Sequence, residues 1–241
     1  MLEAAFWGFV GGVTLLVGAV LGLVLRTPPR VVGLVMAFGG GVLISAVAFD
    51  LVEEGFASAG ATPVLVGLVA GALTFYGGDW ILDNRGGRDR KRSGGQQAGG
   101  AAGAIVLGTM LDGIPESAAI GVSLLDGGVG VAVVAAVFLS NVPESMSAAV
   151  GLRSAGHPPR WILGLWLAVA VLSAGAAAAG YGLLGGAPPD TIAIVQAFAA
   201  GAILTMLADT MMPEAFKNAG NSVGLVTCAG FITAFLLSHG V

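Results

Sequence analysis

Eight apolar runs follow one another along this chain with few charges inside them: Ala4 to Leu25, Val31 to Val52, Val64 to Leu82, Ala102 to Leu125, Val129 to Leu152, Trp161 to Leu184, Thr191 to Met212 and Val223 to Leu237. Most reach the ~20 residues that a helix needs to cross hydrocarbon. With a mean hydropathy of +0.92 and only 10% charged residues, the chain lacks the polar groups to clothe a water-soluble fold. The expectation is an all-α polytopic membrane protein with eight transmembrane helices, forming a single transmembrane domain over 1–241. No basic residue precedes the first run and no clean small-residue cleavage site follows it, so it is read as a span and not as a signal peptide.

The basic residues agree with that count. Arg26 and Arg30 follow the first run, five lie between Arg85 and Arg92, Arg153 and Arg160 follow the fifth run, and Lys217 follows the seventh. All ten therefore fall on one side, while Glu53, Glu54, Asp126 and Asp190 occupy the alternate connections. The positive-inside rule then predicts both termini outside the cytoplasm and a flexible, basic and Gly-rich cytoplasmic loop over 84–100. The localisation expected is integral to a membrane, the inner membrane of a prokaryotic cell. The lipid bilayer is the expected partner; no nucleic-acid partner is expected, and a homodimer is left open. Cys228 is alone, which excludes an internal disulfide and a Cys-based metal cluster.

Residues 37–60, AFGGGVLISAVAFDLVEEGFASAG, align with 197–220, AFAAGAILTMLADTMMPEAFKNAG. The register matches Ala37 with Ala197, Phe38 with Phe198, Gly41 with Gly201, Glu54 with Glu214 and Phe56 with Phe216. By the charge rule the second span runs outward and the seventh inward, so spans 1–3 and 6–8 are expected to be inverted outer triplets around a central pair, spans 4–5. Inverted repeats mark transporters, with the substrate site near the midplane.

The fourth and fifth runs carry the chemistry: LDGIPESAAIG from 111 to 121 and LSNVPESMSAA from 139 to 149. Entered from the cytoplasm near Ala102, the fourth helix reaches Asp112 after ten residues, about 15 Å, close to the bilayer centre. A carboxylate there costs at least ~2.5 to 3.5 kcal/mol. Asp112, Glu116 and Glu144 have no Lys, Arg or His in either helix to pair with, so a bound cation, protons or water must balance them. Asp112 and Glu116 are four apart, as are Ser140 and Glu144, so each pair projects from one helical face. Pro115 and Pro143 have no N–H for the carbonyls of Leu111 and Leu139. Asn141 offers a further oxygen, whereas the Ser117 and Ser145 hydroxyls are expected to bond back within their helices.

In these motifs the chain resembles the ZIP metal-ion transporters, whose fourth and fifth helices carry His-Asn-x-Pro-Glu-Gly and related His/Gln-Asx/Glu-x-Pro-His/Glu patterns. The resemblance extends to eight helices, outside termini, a basic loop after the third and inverted triplets. It implies a midplane metal site from Asp112, Glu116, Ser140, Asn141 and Glu144, with Asp112 in place of the first-motif His. Gly113 stands where the family often has Asn, and Ser140 where it has His or Gln, which implies one metal site and not two. The implied function is movement of a divalent metal ion, of the zinc, manganese or iron class, into the cytoplasm by alternating access. The metal is substrate, and no organic cofactor is implied. Carboxylate and hydroxyl donors suit manganese, ferrous iron, magnesium or calcium, with zinc still open.

Asp50, Glu53 and Glu54 are expected to gather cations at an outer entrance, and Asp209 and Glu214 to line the cytoplasmic exit. Asp79 and Asp83 read as a solvated helix end beside the basic loop. Trp7, Trp80, Trp161 and Trp166 read as an aromatic belt. His157 and His239 are not expected to be ligands. Two other readings stand beside transport: a ZIP-like metal sensor, or a carrier of another solute, that has lost transport; and an intramembrane hydrolase, for which the bilayer lacks the His or Arg partners. No enzyme activity is expected.

Overall fold

The computed structural model of the chain describes residues 1–25, 27–87, 102–126 and 131–238, and among these helix is the only regular secondary structure. The described residues form eight helical rods: α1 (Leu2–Val24), α2 (Pro29–Ala59), α3 (Ala61–Leu82), α4 (Ala102–Ser123), α5 (Val131–Ser154), α6 (Pro159–Leu184), α7 (Pro189–Ala219) and α8 (Ser222–Ser238). Six of them, α1, α2, α3, α5, α6 and α7, are long and apolar enough to cross a membrane, which makes the chain an integral membrane protein. Of the loop expected over 84–100, residues 88–100 lie outside the described residues. Asp83–Gly87 are helical instead, continuing α3 as a π turn.

Local chemistry sets the rod ends. Consecutive prolines precede and open α2, α6 and α7 at Pro28-Pro29, Pro158-Pro159 and Pro188-Pro189, where a missing N–H costs the helix nothing. Gly60 and Gly220 end α2 and α7 with φ of 78° and 63°, a region closed to most side chains. Apolarity alone ends these two helices too early, because it marks the hydrocarbon and not the helix stop. Both continue past the apolar runs to Ala59 and Ala219. Their 31 residues extend about 46 Å, against ~30 Å of hydrocarbon.

The internal repeat has matching backbone geometry. A π segment begins at Val47 in α2 and at Leu207 in α7, the same register position, and each rod ends at a paired positive-φ glycine. The copies lie antiparallel: Gly33 of α2 faces Ala215 and Asn218 of α7, while Gly55 faces Ala193. α8 packs along α2, from Phe38 beside Gly230 to Phe49 beside Phe235 and Asp50 beside Ser238, and α3 packs along α7, each pair parallel.

Packing nevertheless divides the rods differently from the triplet scheme. α1 packs along α6 and α5, and α6 along α4; α2 packs along α8 and α7, and α7 along α3. The two groups meet chiefly where α2 lies on α5 and, less extensively, where α7 lies on α4. Spans 1 and 6 thus belong with the central pair. Among the membrane-crossing rods α5 and α2 have the largest buried shares, 71% and 67%, and α3 the smallest, 28%, so the α2–α5 contact lies at the centre.

One aromatic residue departs from the expected belt. Trp80 is exposed, but Trp166 is 1% exposed, packed among Leu15 and Ala19 of α1, Ala149 and Leu152 of α5 and Ile162 of α6. It fills the seam of the first helix group. Its indole N–H has no hydrogen-bond acceptor among the described residues, so the ring acts there by volume. Trp166→Phe, which removes only a buried, unsatisfied donor and part of the ring, is expected to shift stability little, whereas Trp166→Ala should cost about 3–5 kcal/mol. Thermal unfolding of both variants in detergent would check this; equal losses would contradict it.

Candidate functional site

Glu116 of α4 and Glu144 of α5 are 2% and 5% exposed, and Ser140 and Asn141 are 0% and 5%. Each carboxylate follows a proline that interrupts the hydrogen-bond ladder of a continuous helix, Pro115 in α4 and Pro143 in α5. Two acidic side chains are thus buried in adjacent rods, beside turns whose carbonyls lack one helical donor. α4 and α5 touch only over a short stretch.

Asp112 belongs to α4, but its side chain lies outside the described residues. Among the described residues no group of three or more His, Cys, Asp or Glu side chains converges. A metal held here would draw on Glu116, Glu144, the Asn141 amide and backbone oxygen, a hard donor set.

The hydroxyls largely satisfy the helices. Ser117 Oγ donates to the Gly113 carbonyl at 2.7 Å, and Ser145 Oγ to that of Asn141 at 2.6 Å. Ser140 Oγ donates to the Val137 carbonyl at 3.1 Å, which leaves its lone pairs for a cation. Asn141 reaches across helices: Nδ2 donates to the Gly11 carbonyl of α1 at 3.2 Å. That bond engages the amide nitrogen and leaves Oδ1 as the atom of this side chain able to bind a cation. Gly113 borders a shallow crevice shared with Ile114, Val169 and Ser173, and among the described residues a Cβ built on it would come no nearer than 3.9 Å, to Val169. Space for a side chain therefore exists at this position.

The acidic pathway residues sort by neighbour. Asp50, in the π segment of α2, accepts a hydrogen bond from Ser238 of α8 at 2.8 Å. Glu53 and Glu54 are exposed, on the part of α2 that continues beyond its apolar run and not at a helix end. Asp209, in the π segment of α7, is exposed and close enough to Asp79 of α3 for their charges to interact. Asp79 itself is 9% exposed, and so is not part of a solvated helix end. Glu214 is buried, with Asn218 Nδ2 donating to it at 3.1 Å and the Lys217 ammonium forming an ion pair with it at 3.7 Å. Its charge is balanced locally.

The sequence alone does not single out two further positions. Gln196 of α7 is 2% exposed; the signal was a lone amide inside an apolar run. Gly39 of α2 lies against the second Pro-Glu-Ser turn, and a glycine among three carries no such signal. The chain matches no family model and no curated protein at a significant level.

The Asn141 bond gives a direct expectation. Asn141→Ala removes an interhelical hydrogen bond and should lower stability by about 1 kcal/mol. The loss should vanish in a background where α1 and α5 are cross-linked near Leu23 and Arg153, whose guanidinium already bonds the Leu23 carbonyl at 3.0 Å. An undiminished loss in the linked protein would contradict a role in α1–α5 docking.

Proposed function

We propose that this protein moves a divalent metal cation, of the zinc, manganese or iron class, across a membrane. The site would be centred on Glu116, Glu144, Asn141 and Ser140, with Asp112 as the further carboxylate. The observation that carries the reading is the burial of Glu116 and Glu144, each beside a proline-interrupted turn, in two adjacent rods of a membrane protein. Buried carboxylates are costly there and are retained where an ion or proton uses them. The antiparallel repeat supports it further, since such repeats build alternating-access carriers.

The packing directions fit eight alternating crossings with both termini on one side, and the placement of the basic residues would make that side the outside. Parallel α2 and α8, parallel α3 and α7, and antiparallel α2 and α7 all fit that scheme. Asp50 and Asp209, at nearly equivalent positions of antiparallel rods, would then stand near opposite mouths. Alternating exposure would come from movement of α1, α4, α5 and α6 against α2, α3, α7 and α8. The likeness of the two Pro-Glu-Ser motifs to those of ZIP transporters favours the same reading.

Purified protein in liposomes loaded with a metal-sensitive dye tests it with zinc, manganese and ferrous iron. Saturable flux is expected, reduced at least about tenfold in Glu116→Ala and in Glu144→Ala, since even indirect support of a metal ligand is worth that much. Equal flux in all three proteins would sink the proposal. Saturable binding by titration calorimetry without flux would point instead to a sensor.

A further inference from the structure

Three consecutive glycines of α2 face three different helices. A Cβ on Gly40 would clash with the flexible Cε end of the Met212 side chain of α7 and otherwise touch Leu207 at ordinary distance, whereas one on Gly41 would run into the Thr227 carbonyl of α8. A Cβ on Gly39 would stand 2.7 Å from the Leu139 carbonyl oxygen and 3.1 Å from Ser140 Cα of α5. Leu139 is the residue whose carbonyl Pro143 cannot serve, because proline has no N–H. Bare α2 backbone therefore sits on the interrupted turn of α5, within one residue of Ser140 and two of Asn141.

The repeat shows that this contact is particular to one side. The counterpart of Gly39 is Ala199 of α7, which keeps its Cβ, and α7 lies on α4 less extensively than α2 on α5. Both copies keep a small residue here, but only the α2 copy dispenses with the methyl group that would meet a backbone carbonyl. A glycine Cα–H is also a weak donor suited to a carbonyl that lacks its helical partner.

We propose that Gly39 is a positioning residue: it seats the Leu139 turn of α5 and thereby sets where Ser140, Asn141 and Glu144 stand. This rests on the metal-transport reading above. A methyl group at 39 must push the Leu139 carbonyl and Ser140 away, displacing the second half of the site from the first. Pro143→Ala acts on the same carbonyl from the other side, giving it an N–H and drawing it back into the helix.

The test compares metal flux and binding in Gly39→Ala, Gly40→Ala, Gly41→Ala and Pro143→Ala with the unaltered protein. Gly39→Ala is expected to raise the KM for metal about tenfold, with the dissociation constant rising in parallel. Gly40→Ala should leave both unchanged. Gly41→Ala should lower thermal stability without moving KM. Pro143→Ala should raise KM while keeping or increasing stability, which makes the outcome readable even where Gly39→Ala fails to fold. An unchanged KM in Pro143→Ala, or a Gly39→Ala protein that loses stability with KM unmoved, would overturn the positioning role while leaving transport standing. Absence of metal binding by the unaltered protein would overturn both.

Discussion

Inside hydrocarbon, helices gain little by hiding apolar side chains from one another, since lipid is as apolar as leucine; they hold together by van der Waals contact, which rewards the closest approach. At Gly39, Gly40 and Gly41 one rod meets α5, α7 and α8 at three successive residues. The rest of the arrangement depends on that junction. Both copies of the repeat and both packing groups are joined through it, and the buried core around it draws Met36, Val42 and Leu43 of α2 together with Ala200, Ile203 and Met206 of α7.

Much of the architecture is legible in the sequence because hydrocarbon imposes simple rules. Apolar length locates the helices, and prolines and glycines mark most of their ends. The repeat over 37–60 and 197–220 is visible because the same backbone events recur, down to the closing glycine. The grouping of rods is not legible: α1 and α6 are as apolar as their neighbours, and nothing in their composition says they pack on α4 and α5. Trp166 shows the limit from the other side. An indole near the start of an apolar run suits an interface, and only the third dimension puts it between three helices.

The candidate site divides in the same way. Glu116, Glu144, Ser140 and Asn141 stand out because carboxylates, amides and prolines are rare inside such apolar helices, and all four are buried. What could not be read is how neighbours use them. The Asn141 amide donates to a carbonyl 130 residues away in sequence, and Glu214 draws Lys217 and Asn218 from its own helix. Position 39 lay hidden because its contribution is the absence of a side chain, and its neighbour comes from another helix.

The π segments at Val47–Glu53 and Leu207–Met211 have a consequence for the side chains they carry. A π turn is wider than the α turn it replaces, so every residue beyond it is rotated relative to a regular helix. Because the segments begin at one register in both halves, the closing stretches to Gly60 and Gly220 are rotated alike and the halves stay superposable past the bend. The acidic side chains on it do not share that register: Asp50 stands where the other half has Thr210, and Asp209 where the first has Phe49. The bend is common to the halves, and the charge it presents is not.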